Sequence, residues 1–496
     1  MGQPDGGGGG VDAGPPPAGK HVLAVVKSGS GTVRSTVAGI DCGAVCSSAF
    51  DQGTSISLLA IADAGWKFEG FGGGCQGRGA CTISLMTDLT VWATFSSTAP
   101  PPPVHLSLTV TGPGNVVSTP AGIDCGTGTS CGADFAAGTA VSLAARAAKD
   151  AHFSSWGGAC SGAGPCSLTL WAAAQASAEF AADPVVLAAS SGASALALNS
   201  SDVFYSAFNP APDPAQTHFP IMAVPKAGGA TRVVASSANF VSSVRANDQF
   251  VYWATYDGSA TGTALYRVPV GGGTGELLAT GHHFSEVGLD DQFVYVADFA
   301  GTGDGSGSLY AIATSALSGQ PTTLATNLTP AGGLAVDATD VYLTELPGGT
   351  ALVSRVPKTG GTATKLASCA AGCSFAAMRV DSQNFYWRDS HTGAVYSQAK
   401  GSAAAILIAQ NGGGSESGDD LDANAFVVYW NDNSLPDSGP PGVGAGIVSA
   451  KEDGTGVRYL DNAATTPNQL GRWLSPRADD THVFYIRGNA IMRVLK

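Results

Sequence analysis

The sequence predicts an all-β chain in which two small disulfide-stapled β modules precede a seven-bladed β-propeller. Three observations carry that prediction: a composition poor in charge and rich in glycine, a tandem duplication before residue 181, and a longer repeat after residue 184. Only 12% of the 496 residues are Asp, Glu, Lys or Arg, where about 25% is usual, and 68 are Gly. Long solvated helices need charged outer faces, so this balance suits short strands joined by many turns. With 24 basic against 38 acidic residues, the net charge is −14. Nucleic acid and anionic membrane surfaces demand basic patches and are therefore excluded as partners. No transmembrane segment is present, because no apolar run reaches the length of about 18 residues that a spanning helix needs.

The first 20 residues form a Gly/Pro tether, MGQPDGGGGGVDAGPPPAGK. Residues 21–97 and 104–181 are two copies of one unit, separated by a stiff Pro-rich linker at 98–103. The copies share G-x-G-x-V, A-G-I-D-C, F-x-x-G-T, F-x-x-[FW]-G-G-x-C and C-[TS]-[IL]. Their offset is 83 residues from Cys42 to Cys125 and 85 from Cys75 to Cys160. The ten cysteines fall in five close pairs: Cys42 and Cys46, Cys75 and Cys81, Cys125 and Cys131, Cys160 and Cys166, and Cys369 and Cys373. Zinc knuckles hold a fixed spacing, whereas here the spacing differs between equivalent pairs, so disulfides are expected rather than metal. Within each module, pairing inside or across the close pairs stays open. Each short closed loop contributes about 2 kcal/mol on the chain-entropy model. A module this small needs such staples.

The unit resembles the divergent form of the internalin-type B-repeat, a small all-β module found in tandem on bacterial surface proteins. The resemblance rests on Phe68–Gly73 and Phe153–Gly158 and on the closing A-x-F at Ala93–Phe95 and Ala178–Phe180. Ser155 stands where the pattern has Gly. The family carries no catalytic residues and implies a spacer or adhesion stalk. Disulfides imply export to an extracytoplasmic place, secreted or on the outer surface of a bacterium. The tether is similar to the segment that follows the lipidated cysteine of bacterial surface lipoproteins, which adds a lipid anchor to the expectations.

From residue 184 to 496 a phrase close to [LV]-D-x-x-x-V-Y recurs seven times, marked by Tyr205, Tyr252, Tyr295, Tyr342, Tyr386, Tyr429 and Tyr485. Each phrase encodes a strand, a turn at Asp or Asn, and a second strand. A hairpin such as VPKAGG, VPVGGG or VPKTGG then joins third and fourth strands. Four short strands at a period of 40 to 50 residues give one propeller blade, and seven phrases give seven. The last unit ends one strand short at Lys496, while Val185–Ser190 precedes the first as a lone strand. Pairing the two closes the ring and removes its open edges. This region resembles the YWTD and NHL propeller superfamily, in its bacterial extracellular form, above all at Ala335–Thr344 and Ser354–Ala367. That superfamily holds receptors, scaffolds, lyases and lactonases, so the resemblance implies a fold and no single activity.

Candidate ligand-binding residues lie in the connections from second to third strands and from one blade's last strand to the next blade's first. They are His282, His283, Glu286, Glu416, Asp419, Asp420, Arg472 and Trp473. Adjacent histidines on an extended segment point opposite ways and do not share one metal. Gly303–Gly307 resembles a calcium-loop fragment but holds a single carboxylate, too few for the ion. No cofactor is expected, and a structural or funnel Ca²⁺ is the one exception to test. Asp202, Asp248, Asp290, Asp337, Asp381, Asp422 and Asp479 recur once per blade, which argues for turn capping. Cys369 and Cys373 are expected to staple a loop entering the fifth blade. The expectation is a monomeric, non-enzymatic surface recognition or adhesion protein, its propeller binding protein or glycan and its repeats forming a stalk. The alternative is a metal-dependent lyase or lactonase using a funnel set such as His283 and Glu286.

Overall fold

A computed structural model describes residues 19–126, 130–190, 192–208, 218–257, 262–298, 306–315, 321–368, 375–389, 392–402, 404–410, 421–424, 427–432, 446–462 and 473–496. Their strands form eleven four-stranded sheets. The chain clusters into two compact units, Met1–Leu106 with Gly132–Val141 and Leu168–Ala174, and the remainder to Lys496.

Each module is a pair of sheets. In the first, Ser47–Asp51, Lys20–Ser28, Leu89–Ser97 and Trp66–Gly73 lie side by side, with Lys20–Ser28 parallel to Leu89–Ser97. The second sheet orders Asp41–Cys42, Gly31–Ser35, Ser55–Ala62 and Cys81–Ser84. The second copy repeats both orders strand for strand. Alternating residues such as Leu23, Val25, Val33, Ile56, Leu58, Val91 and Phe95 point inward to form the first module's core. The paired glycines of G-x-G have a steric cause. A Cβ on Gly31 would sit 2.4 Å from the Phe95 ring, and one on Gly114 would sit 2.5 Å from the Phe180 ring. Gly29 and Gly112 hold φ near +80°, a conformation that side chains disfavour. The F-x-x-[FW] pattern and the closing A-x-F meet as aromatic clusters. Phe68 lies 4.7 Å from Phe71 and 5.3 Å from Phe95, and Phe153 lies 4.9 Å from Trp156 and 5.4 Å from Phe180. A register shift after Phe153 carries Ser155 on its bulge, as the shift after Phe68 carries Gly70.

The disulfides join close neighbours: Cys42 to Cys46, Cys75 to Cys81, Cys125 to Cys131 and Cys160 to Cys166. Pairing is therefore within each close pair. Cys369 and Cys373 lie outside the described residues.

The remaining seven sheets are propeller blades. Blade 3 shows the pattern, running outward through Phe284–Leu289, Phe293–Asp298, Gly307–Ala313 and Thr322–Leu328 with every neighbour antiparallel. The inner strands of blades 1 to 7 are Leu196–Leu198, Phe240–Ala246, Phe284–Leu289, Pro330–Val336, Phe375–Val380, Leu421–Asn424 and Trp473–Ala478. Each touches the next, and the first touches the seventh. Val185–Ala189 pairs antiparallel with Ala490–Leu495 as the outer strand of blade 7, so the ring is closed by the strand that precedes it in sequence. Apolar side chains fill the seams: Tyr252, Leu265 and Val294 lie in one cluster and Tyr295, Leu309 and Val341 in the next. Within the second unit, Arg493 of blade 7 forms an ion pair with Asp150 and donates to the Lys226 carbonyl.

Candidate functional site

The recurrent acids sit on the lower face, at the hairpin from first to second strand. There the side chain at the first turn position accepts backbone N–H groups two and three residues on. Asp290, Asp337, Asp381 and Asp479 do this in blades 3, 4, 5 and 7, at 2.7 to 2.9 Å. Asn199 and Asn247 do it in blades 1 and 2, and Asn424 caps the Val427 N–H in blade 6. The recurring residue is thus an Asx turn, and Asp202, Asp248 and Asp422 occupy other positions. Asp248 bonds the Ser200 N–H of the neighbouring blade, and Asp202 pairs with Arg232.

Five residues after the turn stands the ring of the recurring phrase. It is Tyr252, Tyr295, Tyr342, Tyr386 and Tyr429, but Phe204 and Phe484 in blades 1 and 7; Tyr205 and Tyr485 lie one residue later, on the opposite face. In blades 3, 4 and 5 the tyrosine hydroxyl donates to the turn carboxylate, as Tyr295 to Asp290 at 2.9 Å, Tyr342 to Asp337 at 2.8 Å and Tyr386 to Asp381 at 2.7 Å. A lysine from the following blade completes the set. Lys358 pairs with Asp290 at 2.6 Å, Lys400 with Asp337, and Lys226 with Asp479 at 3.0 Å. The same ammonium groups lie 5.2 to 5.5 Å from the centroids of Tyr295, Tyr342 and Phe484. Burial alone would raise the carboxyl of Asp337, yet the Lys400 ammonium and two backbone N–H groups hold it down at about 2. Asp479 is held at about 2 against burial by the Thr481 and His482 N–H groups and Lys226.

Inside the ring the inner strands are tied by charge. Glu286 of blade 3, 8% exposed, is bonded by Arg245 of blade 2 and, at 2.9 Å, by Arg379 of blade 5. Its other oxygen faces the Leu334 N–H of blade 4 at 3.3 Å. Arg379 also reaches Asp422 of blade 6 at 3.6 Å, and Asp422 accepts the Ala478 N–H of blade 7 at 2.7 Å. One network therefore links blades 2 through 7. Arg245, Arg379 and Arg477 share a curled form, each donating to the carbonyl of the residue before it at 2.7 to 2.8 Å. These arginines escape a search for acid, base or metal sets. Their trace is R-x-[DN] at one phase, two residues before the turn: Arg245–Asn247, Arg379–Asp381 and Arg477–Asp479.

The upper face is formed by the second-to-third and fourth-to-first connections. His282 and His283 lie there, between Glu276–Gly281 and Phe284–Leu289. Their backbone N–H groups both donate to Asp298 Oδ1, at 2.9 and 2.8 Å, and the His282 ring lies 3.4 Å from Oδ2. Asp298 thus pins the loop into blade 3. His283 packs on the Tyr256 ring at 5.5 Å, and burial lowers its imidazole below the ordinary value, partly opposed by Asp298. Glu286 bonds two arginines and a backbone N–H, and His283 packs against Tyr256. Glu416, Asp419, Asp420 and Arg472 lie outside the described residues; Trp473 begins the inner strand of blade 7. Among the described residues, no three His, Cys, Asp or Glu side chains converge to hold a metal. No helix there is long and apolar enough to cross a membrane.

Residues 21–99 and 116–184 match the divergent InlB B-repeat domain family. No curated protein matches the chain in sequence. Among solved structures, a catalytically inactive virginiamycin B lyase from Staphylococcus aureus with quinupristin is 8% identical, with 63% of this chain and 98% of that one covered and a TM-score of 0.45. YCF48 bound to D1 peptide is 8% identical over 63% and 96%, with a TM-score of 0.43. TolB from Acinetobacter baumannii is 13% identical over 60% and 64%, with a TM-score of 0.37. At these identities the likeness is one of fold.

Proposed function

We propose that this is a non-enzymatic extracytoplasmic recognition protein. The propeller's upper face takes a protein or glycan, the B-repeat modules carry it as a stalk, and the N-terminal tether reaches a lipid-anchored or secreted end. The observation that supports this reading is the employment of the candidate chemistry. The recurrent turn carboxylates, Glu286, Asp298 and Asp422 all bond backbone N–H groups, and several also bond arginine, lysine or tyrosine. A general acid or a metal ligand needs a carboxylate aimed at substrate or ion instead. The test is elemental analysis and melting of the full chain with and without EDTA, followed by glycan-array and cell-surface pull-down binding. Ligand capture with no tightly held ion supports recognition. One ion per chain, with loss of melting temperature on chelation and turnover of a lactone or lyase substrate, supports the enzyme instead.

A further inference from the structure

A groove of about 440 Å³ between the closing strand and blade 1, a solvent-exposed Trp92, and a groove of about 610 Å³ between blades 3 and 4 are the features that the reading above leaves unused. The third carries an inference. It runs between the outer strand of blade 3, Thr322–Leu328, and the outer half of blade 4, with Glu345, Asn327, Lys365, Ser354, Thr323 and Leu352 among its walls. Its volume falls in the range of small-molecule sites.

Glu345 ends the second strand of blade 4 and is only 8% exposed. Its Oε2 accepts the Thr329 backbone N–H at 3.0 Å and lies 3.4 Å from the Thr329 hydroxyl. Its Oε1 has no hydrogen-bond partner among the described residues and belongs to a side chain that lines the groove. Asp298, at the same place one blade earlier, engages both oxygens, so Oε1 is the acceptor that Glu345 has left to offer. Around it stand a side-chain amide at Asn327, the Lys365 ammonium and the Ser354 and Thr323 hydroxyls. The carboxylate repels an anion and the ammonium repels a cation, so charge leaves a neutral polyol or a zwitterion. The walls offer both acceptors and donors, which suits vicinal hydroxyls that donate to Glu345 and accept from Lys365.

We propose that the groove between blades 3 and 4 is a saccharide subsite, with Glu345 Oε1 accepting from a sugar hydroxyl and Lys365 donating to another. The site is separate from the upper face, so either reading stands or falls alone. The full chain is titrated with maltotriose, cellotriose and triacetylchitotriose, and with trilysine, citrate and zwitterionic triglycine as charged probes, by saturation-transfer NMR. Glu345→Gln keeps an oxygen for Thr329 and removes the second acceptor of a groove-lining side chain. We expect at least one trisaccharide to bind, with about tenfold weaker binding in Glu345→Gln and in Lys365→Ala at unchanged melting temperature. Silence from all three sugars at millimolar concentration would overturn the proposal. So would binding that ignores both substitutions, or binding of a charged probe in their place. A Glu345→Gln variant with lowered melting temperature is replaced by Lys365→Ala on the exposed wall, whose result then decides.

Discussion

Asp337 shows how one side chain serves local turn, blade and seam together. It accepts two N–H groups, the Tyr342 hydroxyl and the Lys400 ammonium. Tyr342→Phe should cost about 1 kcal/mol, read as a urea midpoint, because a partly buried acceptor loses one of several donors. Asp337 and Asp479 titrate lower in the folded chain than in the unfolded one. Their contribution is therefore complete above about pH 4 and is lost as pH falls toward 2. In Asp337→Asn the acid-unfolding curve should be shallower over that window. His283 has the same sign in a higher window: the unfolded chain takes up its proton first, so stability falls as pH drops below the ordinary value of 6.5. Glu286→Ala would leave Arg245 and Arg379 facing each other inside the ring and should cost about 3–5 kcal/mol by urea titration. Replacing Glu286, Arg245 and Arg379 together by apolar residues should recover most of that loss.

At the scale of elements, five of the seven lower-face seams match the turn residue of one blade to the residue after the third strand of the next. The other two do not, since the Asp381 turn faces Glu452 and the Asn424 turn faces Lys496. Where the turn is Asp479, Asp290 or Asp337, the partner is Lys226, Lys358 or Lys400. Where the turn is Asn199 or Asn247, the corresponding residue is Val270 or Thr314. An Asn247→Asp and Thr314→Lys pair should therefore couple favourably, by about 0.5–1 kcal/mol in a double-mutant cycle. No coupling would mean that the match is incidental. Both halves of the pair Asp290 and Lys358 are legible in the sequence, as L-D and V-P-K. Their partnership is not, because Lys358 and Asp290 lie 68 residues apart. The same limit explains the aromatic phrase: seven tyrosines line up by eye, but pairing register puts Phe204 and Phe484, not Tyr205 and Tyr485, at the equivalent position. A one-residue slip exchanges the two faces of a strand.

The whole molecule depends on Val185–Ala189, which closes a ring whose other blades follow it in sequence. A chain beginning at residue 191 should leave Ala490–Leu495 with an open edge, melt at lower temperature and associate on gel filtration. A chain beginning at residue 184 should keep the ring closed. Reduction should act on the modules, to which the four described disulfides belong. Each closes a short loop worth about 2 kcal/mol, so reducing agent should lower a module transition in calorimetry.

By itself, the sequence determined the all-β class, the duplicated modules, the blade count and the closing strand. These follow from periodicity, turn chemistry and repeat phase, which are local or recur at fixed intervals. Even G-x-G and A-x-F could be read as motifs, although only their contact at Phe95 and Phe180 explains why a side chain is forbidden there. The tertiary structure alone decided what the charges do. Arg245, Glu286, Arg379 and Asp422 come from four different blades and meet only because the ring closes. Glu345 looks like any strand-end acid until blade 3 is laid beside it and the two line one groove. A site assembled from several repeats has no signature in any one of them.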